Sequence, residues 1–425
     1  MEKSSAEKPG KGSSALTFTK CSDRMKDMKN TGIRISFIIS IIIIGTAWLA
    51  GCSRKNADPV SRSSFLLNTF ITVTLYDSQD ETILDGCMEL CSDYEKLLSK
   101  TLEGSEIYRM NHRKPGERTF TVSDGTARVL QKGLEYSRIS KGAFDITIEP
   151  LSTLWDFTGK DPQVPQPDEI QQDLKKVGYE NVILNGNQVT FLNDGTTIDL
   201  GAIAKGFIAD EMKAYLKEKG VDSAVINLGG NVLCVGSRPD GRPFKIGLQK
   251  PYATHTETVA ALDITDMSVV SSGVYERHFI KDGVNYHHIL DPSTGYPYEN
   301  GLIQVSIISP LSVDGDGLST TCFALGLEKG MELIESMDGI YAVFMTEDGT
   351  LHYTRGVEGF LSPDSEPRPA EPRPVALSPA EPRRARNQRR AAFNPQSKRT
   401  SLLKGAKRYG MMEKNVRPFQ EGWIP

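Results

Sequence analysis

The residues best placed for chemistry lie in an Asp-Gly-Asp-Gly-Leu-Ser-Thr-Thr run at positions 314–321. The sequence predicts a helix beginning near Asp316, and helical positions i and i+4 share one face. Asp316 and Thr320 would then offer a carboxylate and a hydroxyl to Mg²⁺, which prefers oxygen ligands and accepts phosphates as co-ligands. Asp314 and Asp316 could equally cap the helix start, so the residues alone leave metal binding and capping as even alternatives.

A second cluster, Asp-Leu-Gly-Ala-Ile-Ala-Lys-Gly at positions 199–206, leads from a predicted strand into a predicted helix. Free backbone N–H groups and the helix dipole suit such a helix start to phosphate binding, and Lys205 adds a positive charge in the first turn. The alternative is a tight strand-to-helix junction with a surface lysine. A glycine loop at positions 227–231 could let a ligand approach the backbone closely, or form only a turn.

A third cluster contains two adjacent histidines, His287 and His288, at the end of a predicted hairpin strand and before an Asp-Pro-Ser-Thr-Gly turn. Neighbouring side chains of a strand point to opposite faces, so only one of them can join a given site. A histidine pKa near its unperturbed value of about 6.5 suits proton transfer at neutral pH; the alternative is a structural histidine. The sequence contains no GxxxxGK[ST], HExxH or GxSxG motif.

The elements that must position these clusters come in blocks of helices and strands, which predicts an α+β fold rather than a doubly wound sheet. An alternating strand over residues 70–77 leads into a capping box at positions 78–81. The helix behind it carries Cys87 and Cys91 on its apolar stripe, so both are predicted to be small core residues rather than a redox pair. Further predicted elements are a helix over residues 123–140, a hairpin over 181–191 with its turn at Asn185-Gly186, and a helix from Gly201 to before Gly220.

Charge is distributed unevenly along the chain. The formal net charge of −4 over 425 residues argues against a general nucleic-acid binder. Residues 361–425 contain 14 Lys and Arg against 6 Asp and Glu, a surplus of +8 that leaves −12 for residues 1–360. This proline-rich tail has few apolar residues and is predicted to be a disordered extension or frameshifted sequence. The alternative is a basic segment that lies on a membrane surface or a partner.

The N-terminal region has the pattern of an export signal. Residues 35–49 form an apolar run shorter than a membrane-spanning helix, and the Leu-Ala-Gly-Cys sequence at 49–52 resembles a bacterial lipobox. We expect a lipoprotein signal peptide within residues 1–51, lipidation of Cys52 and a linker over residues 52–64. The lipid would anchor the chain in the cell membrane, facing the extracytoplasmic side. The alternative is an uncleaved signal anchor with a chance cysteine.

The three clusters belong to a longer series of segments that follow one another along the chain. The segments are SEIYRMN (105–111), GAFDITIEPLSTLW (142–155), DLGAIAKGF (199–207), VINLGGNV (225–232), SSGVYERHF (271–279), HHILDPSTGYP (287–297) and DGLSTTCFALG (316–326). Together, and in this order, they resemble the FAD:protein FMN transferases, or ApbE family. The resemblance implies a single two-lobed catalytic domain over residues 65–360, in which helices pack on mixed or antiparallel sheets in a T-fold-like architecture.

The resemblance also implies an Mg²⁺-dependent enzyme with FAD as its substrate. A threonine hydroxyl of a target flavoprotein of extracytoplasmic electron transport would attack the phosphate on the FMN side. AMP would leave, and FMN would stay attached through a phosphoester. Such a transfer needs a metal, a cation and an oriented hydroxyl more than a protein nucleophile. Two rivals stay open: an FAD pyrophosphatase that gives FMN and AMP, and a non-catalytic lipoprotein that only binds flavin.

Individual roles follow from the same resemblance. The metal ligands would be Asp316, Thr320 and the backbone carbonyl of Ala202. The general base would be His288, with Asp316 as the alternative.

The expected FAD contacts include two departures from the family pattern. Leu67 and Asn68 stand where Met-Gly is common, and Asn tolerates the positive φ of such a turn. Thr101 stands where some members carry a tyrosine that stacks on the flavin, which leaves open whether water competes with the target threonine. The full set of expected FAD contacts is Leu67, Thr101, Ala143, Phe144, Asp145, Asp199, Lys205 and Ile289.

Overall fold

The structure is a computed structural model that describes residues 58–253 and 257–363. The predicted signal peptide, the lipidation of Cys52 and the basic tail after residue 363 lie outside the described residues. No helix within the two described ranges combines the length and the apolar character needed to cross a bilayer.

Strands and helices follow one another in blocks along the described residues. The strands are β1 (Val60–Leu66), β2 (Thr69–Leu75), β3 (Thr119–Thr121), β4 (Val182–Asn185), β5 (Gln188–Phe191), β6 (Ala224–Leu228), β7 (Asn231–Val235), β8 (Phe244–Gln249), β9 (Thr258–Ile264), β10 (Ser268–Gly273), β11 (His278–Lys281), β12 (Val284–His287), β13 (Leu302–Ser309), β14 (Tyr341–Thr346) and β15 (Leu351–Tyr353). The helices are α1 (Glu81–Leu98), α2 (Glu106–Asn111), α3 (Asp124–Ile139), α4 (Glu149–Trp155), α5 (Pro167–Leu174), α6 (Ala204–Glu218), α7 (Ser312–Leu325) and α8 (Leu327–Glu335), with 3₁₀ turns at Tyr179–Asn181 and Val357–Gly359.

The dominant feature is an eight-stranded sheet of order β1-β2-β6-β7-β10-β13-β14-β15. Smaller sheets pair β3-β5-β4, β8-β9 and β11-β12. Every pairing between these named strands is antiparallel, and the predicted α+β class is confirmed. The first strand begins at Val60, inside the predicted linker over residues 52–64, because it pairs along its whole length with β2.

Both faces of the large sheet are partly covered. Inward-facing residues of β2, such as Ile71 and Val73, pack in the main core with helices α1, α6 and α7. On the opposite face, Val225 and Val232 pack with Leu262 of the β8-β9 hairpin in a second apolar cluster. The helix-covered face carries the residues considered below.

Helix α1 begins two residues later than the predicted capping box. Asp80, not Ser78, is the N-cap, and its carboxylate accepts a hydrogen bond from the Thr82 N–H at 3.0 Å. The predicted core role of Cys87 and Cys91 is confirmed, since both are fully buried and burial raises the pKa of each thiol to about 12. A thiol held protonated in an apolar core is chemically inert.

Two further boundaries differ from the predictions. The β4-β5 hairpin turns at Gly186 and Asn187, one residue after the predicted Asn185-Gly186 turn, because Asn185 still pairs with Gln188. Helix α6 begins at Ala204 rather than near Gly201. The three residues before it form a turn, which leaves the backbone there free to make contacts outside the helix.

Helices α6 and α7 approach so closely that their main chains touch. A Cβ at Gly206 would lie 2.2 Å from the carbonyl oxygen of Ser312, a distance that no side chain can occupy. The glycine is therefore required at this crossing, and it fixes the start of α6 against the start of α7.

The start of α7 is capped from another helix. Asp210 of α6 accepts hydrogen bonds from the N–H groups of Ser312 and Val313 at 2.8 and 2.9 Å, although burial raises the pKa of Asp210 to about 6. The prediction of a helix start near Asp316, with Asp314 or Asp316 as its cap, is wrong. The chain enters the helix four residues earlier because the cap is supplied by a residue about a hundred positions away.

Candidate active site

The candidate site lies at one end of the eight-stranded sheet. The β1-β2 turn and the β6-β7 turn meet there, and Gly229 packs so closely on Thr69 that a Cβ would lie 2.3 Å from the threonine Oγ1. The start of α6 and the second turn of α7 close the same end, because Asp316 contacts both Gly206 and Asn231. Four separate stretches of chain therefore converge on one cleft.

Asp316 is the central residue of this cleft and is only 5% exposed. One carboxylate oxygen accepts the Gly206 N–H at 2.6 Å, and the other accepts the Asn231 side-chain amide at 3.0 Å. The Asn231 amide is oriented in turn by the Ser312 hydroxyl, which donates to its oxygen at 2.7 Å. No salt bridge to Asp316 is found within the described residues. Buried charges are normally paired or bound to a metal, so this carboxylate favours a cation supplied from outside the protein.

Thr320 lies one turn further along α7, as the i and i+4 spacing predicts. Its hydroxyl is 3.1 Å from the Ser272 hydroxyl at the end of β10, and Ser272 is also 2.8 Å from the Ser319 hydroxyl. Thr320 is half-buried. Ser272 thus orients the threonine oxygen beside Asp316, a role that the sequence pattern did not reveal.

The turn before α6 carries Asp199 and Ala202. The Asp199 carboxylate accepts the Gly201 N–H at 2.8 Å on one oxygen and forms a 2.9 Å ion pair with Lys100 on the other. Burial alone would raise the pKa of Asp199, but Lys100 and these hydrogen bonds hold it below the usual value. Ala202 is exposed, so a ligand can reach its backbone.

Lys205 is a half-buried cation in the first turn of α6. Within the described ranges it makes no salt bridge or side-chain hydrogen bond, whereas Lys213 of the same helix pairs with Asp266 at 2.9 Å. Lys205 also acts on Glu276: desolvation raises the pKa of this carboxyl group, and the positive charge of Lys205 lowers it in part. Ile203 supplies no side-chain cap to α6, and Asp316 accepts only the Gly206 N–H of the first turn. An available lysine beside the remaining N–H groups of a helix start is an arrangement that binds phosphate.

The two adjacent histidines have different environments, as predicted. His287 is buried, with its Nε2 3.0 Å from the Tyr298 carbonyl and its Nδ1 accepting the Ile289 N–H at 3.3 Å. Burial lowers the pKa of His287 to about 4. This side chain is therefore a neutral structural residue with both ring nitrogens engaged.

His288 is half-buried and lies outside the end of β12. Its Nδ1 is 3.3 Å from the Arg277 carbonyl, which assigns the proton to Nδ1 and leaves Nε2 as a hydrogen-bond acceptor. Burial, followed by the Arg277 charge, lowers the pKa of His288 to about 3. The pKa of His288 therefore lies below the unperturbed histidine value, because the ring is desolvated beside a cation.

Residues 143–145 are held mainly by the protein itself. Phe144 is buried in the core, and its N–H donates to the Ser140 hydroxyl at 2.9 Å. Asp145 accepts hydrogen bonds from the N–H groups of Thr147 and Tyr179, both at 2.8 Å, and burial raises its pKa. The structure places these two side chains in supporting positions.

Tyr298 joins two of the expected FAD contacts. Its hydroxyl donates to the Ala143 carbonyl at 3.0 Å, and its N–H donates to the Ile289 carbonyl at 3.0 Å. Tyr298 therefore holds Ala143 and Ile289 close to each other, and Ile289 directly follows His288 in the chain.

Leu67 and Thr101 are both held by the C-terminal part of α1 or its C-cap. Leu67 and Asn68 form a turn with φ values of 55° and 57°, and the Leu67 N–H donates to the Glu95 carboxylate at 2.8 Å. Thr101 is exposed, with its N–H bonded to the Ser99 hydroxyl at 3.2 Å. No hydrogen bond among the described residues connects either of them to Asp316.

A metal at this site would need oxygen donors from more than the side chains. The described residues contain no group of three or more His, Cys, Asp or Glu that could hold an ion. The Asp316 carboxylate, the Thr320 hydroxyl and the Ala202 carbonyl would offer only oxygen donors, and such donors suit Mg²⁺ that shares its coordination with ligand phosphates. The residues present therefore fit an Mg²⁺–diphosphate complex better than an ion bound by the protein alone.

The sequence and the fold match one family over most of the chain. The family model described as "ApbE family" matches residues 67–344. An FAD:protein FMN transferase of Klebsiella pneumoniae (strain 342) is 38% identical over 290 residues, covering 68% of this chain and 89% of that protein. An FAD:protein FMN transferase of Treponema pallidum (strain Nichols) is 30% identical over 339 residues, covering 75% of this chain and 93% of that protein.

Solved structures agree with this assignment. The crystal structure of the ApbE protein from Thermotoga maritima matches with a TM-score of 0.66 and 30% identity, covering 72% of this chain and all of that one. The flavin transferase ApbE from Vibrio cholerae matches with a TM-score of 0.65 and 26% identity, with the same coverage of both chains. The chain belongs to the ApbE family.

Proposed function

We propose that this chain transfers the FMN part of FAD to a target protein. The observation that carries the proposal is the buried Asp316 carboxylate, which no salt bridge neutralises within the described residues and which lies beside the start of a helix with an available Lys205. No described cation contacts the carboxylate, and the helix end beside it offers Lys205 and backbone N–H groups to an anion. The relatives named above as FAD:protein FMN transferases support the same activity.

In the reaction we propose, a threonine hydroxyl of the target attacks the phosphorus on the FMN side of the FAD diphosphate. The new bond joins the threonine oxygen to that phosphorus, the bond to the AMP oxygen breaks, and AMP leaves with the electron pair. Mg²⁺, when bound, supplies charge neutralisation on the diphosphate; Asp316, Thr320 and the Ala202 carbonyl would hold it. Lys205 and the start of α6 bind and orient the phosphates.

The proton of the threonine hydroxyl needs an acceptor. His288 offers Nε2, because Nδ1 is directed at the Arg277 carbonyl. With its lowered pKa the ring is neutral at physiological pH and acts as a positioned but weak base. Proton transfer to His288 would therefore accompany phosphorus–oxygen bond formation rather than precede it.

A test of the activity uses the chain with FAD, MgCl₂ and a target domain that carries an acceptor threonine. Mass spectrometry is expected to show the target heavier by one FMN phosphoester, with AMP released in equal amount. A matched reaction replaces the acceptor threonine with valine and should give no adduct. If AMP and FMN appear while the target gains no mass, the transferase proposal is wrong.

The pyrophosphatase alternative is favoured by one observation, the exposed Thr101. Some relatives place a stacking tyrosine there, and without it water could compete for the phosphorus. The substitution Thr101→Tyr is then expected to lower free FMN release relative to target labelling. An unchanged ratio would argue against this alternative, and absence of AMP with any divalent metal would leave only flavin binding.

Membrane anchoring through Cys52 is part of the proposal. The lipobox-like sequence at residues 49–52 supports it, and so does the short distance along the chain to β1, which begins at Val60. Targets would then be extracytoplasmic electron-transport flavoproteins. Cys52→Ser is expected to move the protein from the membrane fraction to the soluble fraction, whereas Cys87→Ser should not. Retention of Cys52→Ser in the membrane would favour an uncleaved signal anchor.

A further inference from the structure

Lys100 lies at the centre of a polar cluster, and none of the roles expected above is assigned to this lysine. It follows α1 in the chain, and its side chain is 24% exposed. Its ammonium nitrogen is 2.7 Å from the Ser152 hydroxyl, 2.9 Å from the Asp199 carboxylate and 3.3 Å from the Thr153 hydroxyl. A second carboxylate, Glu149, lies 3.8 Å away.

The three hydrogens of this ammonium group are all engaged. A lysine ammonium has three donors and no acceptor, and three oxygens of Ser152, Asp199 and Thr153 surround it within hydrogen-bond distance. No donor is left for a ligand. Lys100 therefore acts on other protein groups rather than on FAD itself.

Asp199 is the group that Lys100 affects most. One oxygen of its carboxylate receives Lys100 and the Ser152 hydroxyl, both at 2.9 Å, and the other receives the Gly201 N–H at 2.8 Å. The bond to Gly201 closes the turn that precedes α6. Ala202 and Lys205 are the next site residues along the chain, so the shape of this turn decides where both are presented.

The hydrogen bond between the Gly201 N–H and Asp199 depends on the positive charge of Lys100. Without the ammonium group, the Asp199 carboxylate would keep only neutral donors in a desolvated position, and a buried charge that loses its partner is strongly destabilised. The carboxylate would then move toward water and release the Gly201 N–H. The turn that carries the Ala202 carbonyl would lose its anchor.

We propose that Lys100 is a positioning residue that neutralises Asp199 and thereby fixes the turn presenting Ala202 and Lys205 to the diphosphate. The identity of the ligand rests on the proposed function. Groups that orient metal ligands from behind commonly contribute about 10- to 100-fold to metal affinity or activity, and we expect an effect of that size here.

The test compares Lys100→Met with Lys213→Met in the full chain. Lys213 is a matched control, because it also forms a 2.9 Å pair with a carboxylate and is 19% exposed, but it pairs with Asp266 away from the cleft. Flavin fluorescence measures the Kd for FAD without metal, and AMP release measures the Mg²⁺ concentration for half-maximal rate. Lys100→Met is expected to raise both by about tenfold or more, and Lys213→Met to change neither.

A double variant isolates the role of charge. In Lys100→Met/Asp199→Asn the uncompensated carboxylate is removed, while an amide oxygen can still accept the Gly201 N–H. Its Kd for FAD is compared with that of Asp199→Asn alone, so that any direct contact of the Asp199 carboxylate with FAD is absent from both variants. We expect the two values to agree within about twofold. A difference of about tenfold between them would overturn the neutralisation of Asp199 as the mechanism.

Equal FAD affinity in folded Lys100→Met and wild type would overturn the proposal, as would equal losses in Lys100→Met and Lys213→Met. If Lys100→Met does not fold, Lys100→Gln keeps a donor without the charge and carries the same expectation. The Kd for FAD without metal tests the role of Lys100 independently of the proposed transfer reaction. If the wild type binds FAD but labels no target, the transfer reaction is refuted, and the effect of Lys100→Met on FAD binding can still be measured.

Discussion

Two faces of helix α7 hold carboxylates in opposite ways. On the face toward α3, Asp314 pairs with Lys132 at 3.1 Å and accepts the Tyr136 hydroxyl at 2.7 Å. On the cleft face, the donors to Asp316 among the described residues are neutral: the Gly206 N–H and the Asn231 amide. Two acids separated by one residue therefore differ in whether the protein itself supplies the counter-charge.

The difference shows how the fold separates structural charges from functional ones. Burying an ion without a partner costs several kcal/mol, so a fold retains it only where a ligand makes up the loss. Helix α6 repeats the contrast, since Lys213 forms a salt bridge and Lys205 forms none with the described residues. Charged side chains without a salt-bridge partner mark the site, and charged side chains with a partner stabilise the fold.

The largest effect is expected when the unbalanced carboxylate is neutralised. Asp316→Asn should lower flavin transfer and AMP release by about 1,000-fold, about 4 kcal/mol, because the carboxylate that we propose as a metal ligand is lost. Steady-state AMP release and target labelling measure it. The control Asp314→Asn should instead lower the free energy of unfolding by about 1–3 kcal/mol and keep the rate. Comparable rate losses in Asp316→Asn and Asp314→Asn would show that the two carboxylates do not differ in function.

The paired and unpaired lysines of α6 give the next largest effect. Lys205→Met should raise the KM for FAD by about 10- to 100-fold, since a charge-assisted contact to phosphate is worth roughly 1.5–3 kcal/mol, without lowering Tm. Lys213→Met should lower Tm and leave the KM unchanged. Calorimetry together with initial rates tests both, and a KM increase in Lys213→Met would contradict the division.

The two histidines extend the contrast to pH dependence. The folded pKa of His287, about 4, lies below its unfolded value of about 6.5. The stabilisation from the neutral ring is therefore complete above pH 6.5 and is lost as the pH falls toward 4, by about 2 kcal/mol at pH 5. Urea unfolding of wild type and His287→Gln should give free energies that converge by this amount between pH 7.5 and 5. A gap independent of pH would show that His287 does not carry the effect.

The smallest effect is expected from Ser272, which orients Thr320. Ser272→Ala removes one hydrogen bond, worth about 0.5–1.5 kcal/mol, and should raise the Mg²⁺ requirement by roughly two- to tenfold. Ser271→Ala is the matched control. Ser271 lies on the opposite face of β10 from Ser272, and its hydroxyl is 2.7 Å from the Ser306 hydroxyl of β13. A Mg²⁺ titration of AMP release distinguishes them, and identical curves for Ser272→Ala and wild type would remove Ser272 from the site.

Local patterns in the sequence predicted the features that depend on nearby residues. The helix over residues 123–140, the buried stripe of α1 and the placement of Asp316 and Thr320 one helical turn apart all follow from spacing within one helix. The family resemblance, carried by ordered motifs, predicted the fold class and is confirmed by the matches to known proteins.

What the sequence could not predict depends on contacts between distant segments. The start of α7 is set by Asp210, about a hundred residues earlier, and no local signal indicates such a cap. The lowered pKa of His288 comes from burial beside Arg277, which only the folded chain provides. Lys100 and Ser272 look like ordinary polar residues until the fold brings them to Asp199 and Thr320.

The contact between Gly206 and Ser312 has a consequence for the thermodynamics of binding. Because the two main chains touch, the start of α6 and the acidic turn of α7 form one rigid unit before any ligand arrives. Their conformational entropy is lost during folding, when many other contacts offset it, and not during binding. FAD therefore meets a preorganised set of donors, and the affinity of the site should depend little on ordering the backbone around the ligand.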